Sequence, residues 1–336
     1  HAKKQIKLSS KFSLNTDFIK YGTKIDYGTE IYNQFFYTEN KKINNKYINS
    51  NHYRFFPIFG LRAKTPFKFK KNYKNLTYTP KLSLILTPGI SNTDKISNED
   101  SSINSYTIES NEDYNRYLGS DKLDNSKRVN ASISINNEKF NSTISSTYEF
   151  TNNSNYHYSQ GNDKNLSDIL GSFDLNFYNS ISSYNFRFDP HNNYMKSQNY
   201  EMKYKNTIGD YKLSYLDQKT KTDDIIISDK ESINYRFDSI KYKNSKISYF
   251  GLFDLKNSIN TESGFSYSYF DECFGINLDF KRNSYTEEEL KPQDIMTVMF
   301  SFKNLGSYKS TNLAVSENDK QDIKWESNSV SNDLFN

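Results

Sequence analysis

Residues 270–282 read FDECFGINLDFKR and hold the chain's one cysteine, Cys273. From Phe274 onward apolar residues alternate with small or polar ones: Phe274, Ile276, Leu278 and Phe280 against Gly275, Asn277, Asp279 and Lys281. Period two is the mark of a β-strand with two unlike faces. The same rule recurs at Phe173, Leu175 and Phe177; at Tyr184, Phe186 and Phe188; and at Tyr200, Met202 and Tyr204. It continues through Tyr211, Leu213 and Tyr215; Ile233, Tyr235 and Phe237; Ile247, Tyr249, Gly251 and Phe253; and Phe265, Tyr267 and Tyr269. Leu82, Leu84 and Leu86, with Ile133 and Ile135, follow it earlier.

Short turn signals separate these segments: INNEKF at 135–140, YNSIS at 178–182, KNTIGD at 205–210 and YKNSK at 242–246. They predict hairpins and an antiparallel meander. Long polar stretches fall at about 38–51, 90–127, 151–167 and 283–293. Tight turns alternating with long loops are the asymmetry of an outer-membrane barrel. The pattern predicts about 14 strands of about 9–11 residues, the length a tilted membrane strand needs.

Composition decides between order and disorder. Only 35% of the 336 residues are hydrophobic, yet 16% are aromatic, with 28 Tyr and 25 Phe, too many rings for a disordered chain. A soluble β-sandwich also alternates. Its buried face would carry Val, Ile and Leu rather than Tyr and Phe, and its wet face more Lys, Arg and Asp than the Ser, Asn and Asp found here. Aromatic residues toward membrane interfaces and a polar lumen account for both features. With 44 basic and 40 acidic residues the charge is too balanced to signal a nucleic-acid partner. The chain starts at His1 without a signal segment and is read as a mature form or, in preference, a fragment of a longer protein. No apolar run reaches the roughly 20 residues of a membrane helix.

Little in the sequence points to covalent chemistry. His1, His52, His157 and His191 are far apart, without metal or triad spacing, and read as surface loop residues. The acidic run Glu287–Glu289 reads as a solvated cluster, and KFKKNYK at 68–74 as a strand end at a charged rim. No Gly-rich phosphate loop or nucleophile elbow occurs, so neither an enzyme nor a cofactor is expected.

Two stretches carry a more specific signal. Residues 270–306, FDECFGINLDFKRNSYTEEELKPQDIMTVMFSFKNLG, resemble the last two strands of the LptD lipopolysaccharide-assembly family in its alphaproteobacterial form. Residues 87–135 resemble that family's long loop. Its P-N-E-D-S motif corresponds to Ser97, Asn98, Glu99, Asp100 and Ser101. Its N-R-F-x-G-x-D-R motif corresponds to Asn115, Arg116, Tyr117, Leu118, Gly119, Ser120, Asp121 and Lys122, and R-V-N-Y to Arg128, Val129, Asn130 and Ala131. The chain departs from the pattern at Ser126-Lys127, where a Gly-containing pair is usual.

The resemblance implies the C-terminal part of a very large antiparallel transmembrane β-barrel of about 26 strands, spanning 1–306; residues 307–336, rich in Ser, Asn and charge, read from composition as a polar, disordered tail. It implies transport of lipopolysaccharide to the outer leaflet, with contact to outer-membrane lipid, an LptE-type plug lipoprotein in the lumen and a periplasmic Lpt bridge protein. A porin or receptor barrel is the alternative. In this family cysteines beside the acidic pair form disulfides to an upstream periplasmic domain, which implies that role for Cys273. The last strand, about Asp294 to Lys303, would close the barrel at a lateral seam. Met296, Val298, Phe300 and Phe302 would then face lipid, and Thr297, Met299, Ser301 and Lys303 the lumen.

Overall fold

Alternating residues over most of the chain demand strands, and antiparallel strands are what form. The computed structural model describes residues 3–43, 45–69, 75–90, 92–103, 107–151, 164–222, 225–284, 292–303, 306–310, 313–314 and 325–328. The first strands are β1 Lys4–Lys20, β2 Thr23–Ile43, β3 Lys46–Lys64, β4 Phe67–Phe69, β5 Leu76–Leu86, β6 Ser102–Ile103, β7 Tyr117–Leu118, β8 Lys127–Asn136 and β9 Phe140–Glu149. Then come β10 Ile169–Phe177, β11 Ser180–Asp189, β12 Tyr194–Lys205, β13 Gly209–Thr222, β14 Ile225–Ser239 and β15 Ser245–Asp254. The last are β16 Ile259–Phe270, β17 Phe274–Asn283, β18 Gln293–Phe302, β19 Gly306–Ser310, β20 Leu313–Ala314 and β21 Trp325–Asn328. A 3-10 turn covers Ser110–Glu112. Among the described residues no helix is long and apolar enough to cross a membrane, which says nothing of crossing by strands.

The chain divides into two compact units, His1–Phe173 with Asn185–Lys196, and Asp174–Tyr184 with Ser197–Asn336. In the first, β1 pairs β2, β2 pairs β3, β3 and β4 both pair β5, and β8 lies between β5 and β9, all antiparallel. Register puts apolar side chains in cross-strand rows on one face: Leu8, Phe35 and Tyr53 in one, and Tyr27, Leu61, Leu84, Val129 and Tyr148 in another. Several of these are well exposed, Tyr53 at 61% and Leu61 at 47%. The opposite face is mainly polar, with Gln34, Arg54, Ser83, Arg128, Asn130 and Thr147 buried on it beside the apolar Phe36, Phe56, Ile58 and Ile85.

The second unit repeats the scheme from β12 through β18, each strand pairing antiparallel with the next. One register row runs Tyr211, Phe237, Tyr249, Phe265, Phe280, Met296, and the next Leu213, Tyr235, Gly251. Gly251 makes room for the Tyr235 ring, whose carbons would lie 2.4 Å from an added Cβ. The other face carries Arg236, Ser248, Ser266, Asn277, Asp279 and Thr297. Exposed apolar rows opposite polar ones are the arrangement of a sheet whose one side meets an apolar medium.

The four predicted turns all form, and at YKNSK both Lys243 and Asn244 take the positive φ of a two-residue primed turn. Two expectations are corrected. Strands β1, β2 and β3 have 17, 21 and 19 residues, longer than foreseen, and the stretch at 38–51 is the tip of the β2–β3 hairpin rather than a loop. The strands also outnumber the predicted 14, because the first 64 residues already supply three. The acidic run Glu287–Glu289, His1, His157 and residues 70–74 of the basic run lie outside the described residues. His191 sits in the turn between β11 and β12, whereas His52 is on β3 rather than in a loop.

Phe265 lies in the middle of an apolar row and Ser266 beside it on the polar face. Phe265→Arg in detergent micelles should therefore lower the unfolding free energy by about 2–4 kcal/mol, while Ser266→Arg should stay within about 1 kcal/mol. A urea titration of both variants reads the difference.

Candidate functional site

The described residues of the long connection between β5 and β8 pack against the polar face of β1, β2, β3, β5 and β8. One anchor is a gap in the sheet. Gly28 on β2 and Gly60 on β3 are register partners, and with no side chains they leave a slot. The ring of Tyr114 fills it: an added Cβ would meet the tyrosine at 2.5 Å from Gly28 and 2.1 Å from Gly60. The Arg62 guanidinium lies 4.7 Å from the ring centroid, a cation–π contact. Around Tyr114 a small core forms from Tyr32, Phe56, Ile58, Ile85 and Leu123.

Polar contacts lace the loop across the strands. Gln5 on β1 donates to the Ser97 carbonyl and accepts from the Ser97 N–H, at 2.9 and 2.8 Å. Arg54 on β3 donates to the Ser120 carbonyl at 2.7 Å, the Asp121 carbonyl at 2.9 Å and the Gln34 side chain at 2.6 Å. Lys41 on β2 donates to the Ile96 carbonyl, and Arg62 to that of Glu112. Lys81 on β5 pairs with Glu112, while Asn130 on β8 donates to the Asn111 carbonyl at 2.6 Å. Between loop and strand, Lys41, Asn92, Asp94, Asn98, Tyr117 and Lys122 line a polar cavity of about 340 Å³.

The motif residues fall into two clusters. In the first, Asp121 Oδ2 accepts from the Glu99 and Asp100 N–H groups at 2.8 and 3.0 Å, and Lys7 Nζ bridges Asp100 and Asp121 at 2.6 and 2.8 Å. Asn98 closes a turn with Ser101, accepting from its N–H at 3.0 Å and donating to its carbonyl at 2.7 Å. Gly119 stands where an added Cβ would come within 2.2 Å of the Asp100 carbonyl, at a φ of +85°. Burial alone would raise the Asp100 carboxyl, but Lys7, the N–H groups of Asp121 and Ser120 and the Ser101 hydroxyl hold it well below the usual range.

In the second cluster, Arg116 Nε donates to Asp124 at 2.6 Å and Nη2 to Glu149 at 3.2 Å. Arg128 Nη1 donates to the same Asp124 at 2.9 Å. All four side chains are almost fully buried, and the Ser126 hydroxyl and Lys127 N–H complete the Glu149 carboxylate. Losing one member of such a buried set costs about 3–5 kcal/mol. Burial, helped by Asp124, pushes the nearby Tyr117 hydroxyl up to about 12. Burial likewise raises Asp113. No group of three or more His, Cys, Asp or Glu among the described residues could hold a metal ion.

The remaining candidate residues belong to the second unit. Cys273 is an exposed free thiol in the tight turn between β16 and β17. Its N–H and that of Phe274 donate to Asp271 Oδ1 at 2.9 and 2.7 Å, so the acidic residue shapes the turn that carries the thiol. On β18, Thr297 and Ser301 are buried, Ser301 at 0%, and Met296 on the other side is 37% exposed. Val298 and Phe300 lie on the Met296 side, opposite Leu278 and Ile276, and Phe302 opposite Phe274. Met299 pairs with Asn277 on the Thr297 side, and Lys303, just past the strand, donates its N–H to the Cys273 carbonyl at 3.0 Å. The outer edge of β18 is taken: Met299, Phe300, Ser301 and Phe302 pair with β19, and Ile295 and Met296 with β20. Sequence reading missed Lys7, Gln34, Arg54, Tyr114 and the Gly28–Gly60 pair. The two glycines, spaced along otherwise bulky segments, were the available signal.

A family model described as LptD: LPS transport system D matches residues 2–250. No curated protein matches the chain. Among solved structures, a mutant Rh. blastica porin aligns over 89% of this chain and 93% of its own, at 7% identity and a TM-score of 0.34, too low to support an argument.

Two outcomes follow from the geometry. Gly60→Val should expel Tyr114 and cost roughly 1–3 kcal/mol, read as faster protease cleavage within 107–118. Because the folded-state value of Asp100 is depressed, its stabilisation is present above the unfolded value near 4 and is lost as pH falls below it. Asp113, with a raised value, acts in the opposite sense, so the effect should be local. The protection of amides at 98–101, taken as the exchange rate of an unprotected amide at the same pH divided by the rate observed, should fall between pH 5 and pH 3 by more than at 111–114.

Proposed function

The chain belongs to the LptD family, the LPS transport system D proteins, and on that premise we propose that it forms part of an outer-membrane barrel that delivers lipopolysaccharide to the outer leaflet. The observation carrying this reading is the sidedness of the sheet, with cross-strand apolar rows on one face and polar rows on the other in each unit. A glycolipid has the same two chemistries. Its acyl chains would follow the apolar side at an opened seam while its sugars stay against the polar side. The strands would be the C-terminal portion of a barrel of about 26 strands, with residues 307–336 as an appended tail.

The seam strand in this proposal is β18, with Met296, Val298, Phe300 and Phe302 toward lipid and Thr297, Met299, Ser301 and Lys303 toward the lumen. A strand edge accepts one partner at a time. Seam pairing would therefore use the edge that β19 and β20 occupy, making the tail strands and a closing strand mutually exclusive there. A plug lipoprotein of LptE type and a periplasmic bridge protein are the expected partners. Cys273, exposed in a turn, would bond to a cysteine of an upstream periplasmic domain in an oxidising compartment.

Native full-length protein from outer membranes, run with and without reductant beside Cys273→Ser, tests the disulfide. A reduction-sensitive mobility shift lost in the variant is expected; a freely labelled thiol with no shift would remove that assignment. Depleting the protein in cells should halt the appearance of newly made lipopolysaccharide at the surface. Continued delivery after depletion would sink the transport reading.

A further inference from the structure

In the second unit, one register row places three cations side by side. Lys203 on β12 is opposite Lys212 on β13, and Lys212 is opposite Arg236 on β14. Like charges directly opposite one another destabilise a sheet, so such a row calls for a compensating anion. Compensation within the protein is incomplete. Glu201 is shared between Lys203 at 2.8 Å and Lys212 at 2.9 Å, and Asp238 takes the Arg236 fork at 2.7 and 3.0 Å while also facing Lys246 at 3.7 Å. The next row adds Lys205, only 3.8 Å from Asp210. The side chains stay reachable, Lys203 at 55%, Lys212 at 43% and Arg236 at 48% exposure.

A cavity of about 300 Å³ opens at this row, where four cations, Lys203, Lys205, Lys212 and Arg236, outnumber the two carboxylates of Asp210 and Asp238, with Ile181 among the other lining residues. That is the lower end of ligand-pocket sizes, enough for a phosphate with its attached sugar carbons but not for a whole glycolipid. Its position is also defined. The row lies two residues before the end of β12 and three from the neighbouring ends of β13 and β14, beside the tight turns at 206–208 and 240–244. The Lys203 and Lys212 ammonium groups match the oxygens of a phosphate, the Arg236 guanidinium, whose fork Asp238 holds, adds positive charge beside them, and Ile181 offers an apolar wall to the carbon skeleton.

We propose that the Lys203–Lys212–Arg236 row is a subsite for the phosphate of a phosphorylated glycolipid headgroup. The identity of the glycolipid rests on the transport reading above, whereas recognition of phosphate rests on the register and the cavity.

The test uses the full chain in detergent micelles with bisphosphorylated lipid A, fully dephosphorylated lipid A, phosphatidylglycerol and inorganic phosphate as probes. The proteins compared are wild type, Lys212→Gln, the triple Lys203→Gln/Lys212→Gln/Arg236→Gln, and Lys139→Gln as a control in the β8–β9 turn of the first unit. Bisphosphorylated lipid A should bind the triple variant roughly tenfold or more weakly than wild type, with Lys139→Gln unchanged. Dephosphorylated lipid A should not distinguish the proteins, and millimolar inorganic phosphate should compete. The melting temperature of Lys212→Gln should hold or rise, since a repulsion is removed. Equal affinity in wild type and triple variant, or indifference to dephosphorylation, would overturn the subsite. A fall in melting temperature for Lys212→Gln would assign the row a structural role instead. Preference for phosphatidylglycerol would overturn the glycolipid assignment. These outcomes are separable from cellular delivery: transport that survives with unaltered binding by the triple variant removes only the subsite, and failed transport leaves phosphate binding measurable.

Discussion

A strand has two sides, and an antiparallel neighbour must agree with both. Everything else in this protein depends on that agreement. Once Phe265 is opposite Phe280, and Phe280 opposite Met296, the residues between them are committed to the other face, so Ser266, Asp279 and Thr297 form a polar row automatically. A slip of one residue anywhere would exchange the faces of a whole strand and place carboxylates among aromatic rings. Hydrogen bonding between strands and the sorting of side chains are thus one constraint, and they hold each unit in register without a thick interior core.

The first unit adds a second layer. Its polar face is covered by its own loop, which changes what that face can carry. Phe56, Ile58 and Ile85 are buried there because Tyr114 and Leu123 come down upon them, and the Phe36 ring is buried beneath Lys7 and Arg54. The charges that accompany them are neutralised locally, Arg54 by loop carbonyls and Gln34, and the Arg116–Arg128 pair by Asp124 and Glu149. The cost of burying these ions is offset only when every member is present. The loop is therefore held by many partial attachments to six strands, β1, β2, β3, β5, β8 and β9, not by one strong contact.

That covering also explains what could be read beforehand. From β8 to β18, β9 excepted, alternation is clean and the strands and four turns were legible from period two alone, whereas β19, β20 and β21 fall almost wholly in the stretch read as a polar tail. On β2 and β3 both faces carry apolar residues, as in Asn33-Gln34-Phe35-Phe36-Tyr37 and Arg54-Phe55-Phe56-Pro57-Ile58-Phe59. A doubly covered strand loses its alternation, so the longest strands of the chain gave the weakest signal. The loop motif was visible as a resemblance and its residues do gather, Asn98 to Ser101 with Gly119 and Asp121, and Arg116 with Arg128. Their partners Lys7, Gln34 and Glu149 were not legible, since they are distant in sequence and joined only through pairing of strands.

The slot formed by Gly28 and Gly60 has a bearing on assembly. It exists only when β2 and β3 are aligned so that the two glycines meet; displaced by two residues along the pair, Gly28 would be opposite Ile58 or Arg62, and a side chain would stand where the tyrosine ring belongs. Tyr114 arrives later in the chain than both strands. Docking of its ring thus amounts to a proofreading step, in which a correctly aligned hairpin accepts the loop and a misaligned one is left uncapped, with its polar face still open to solvent.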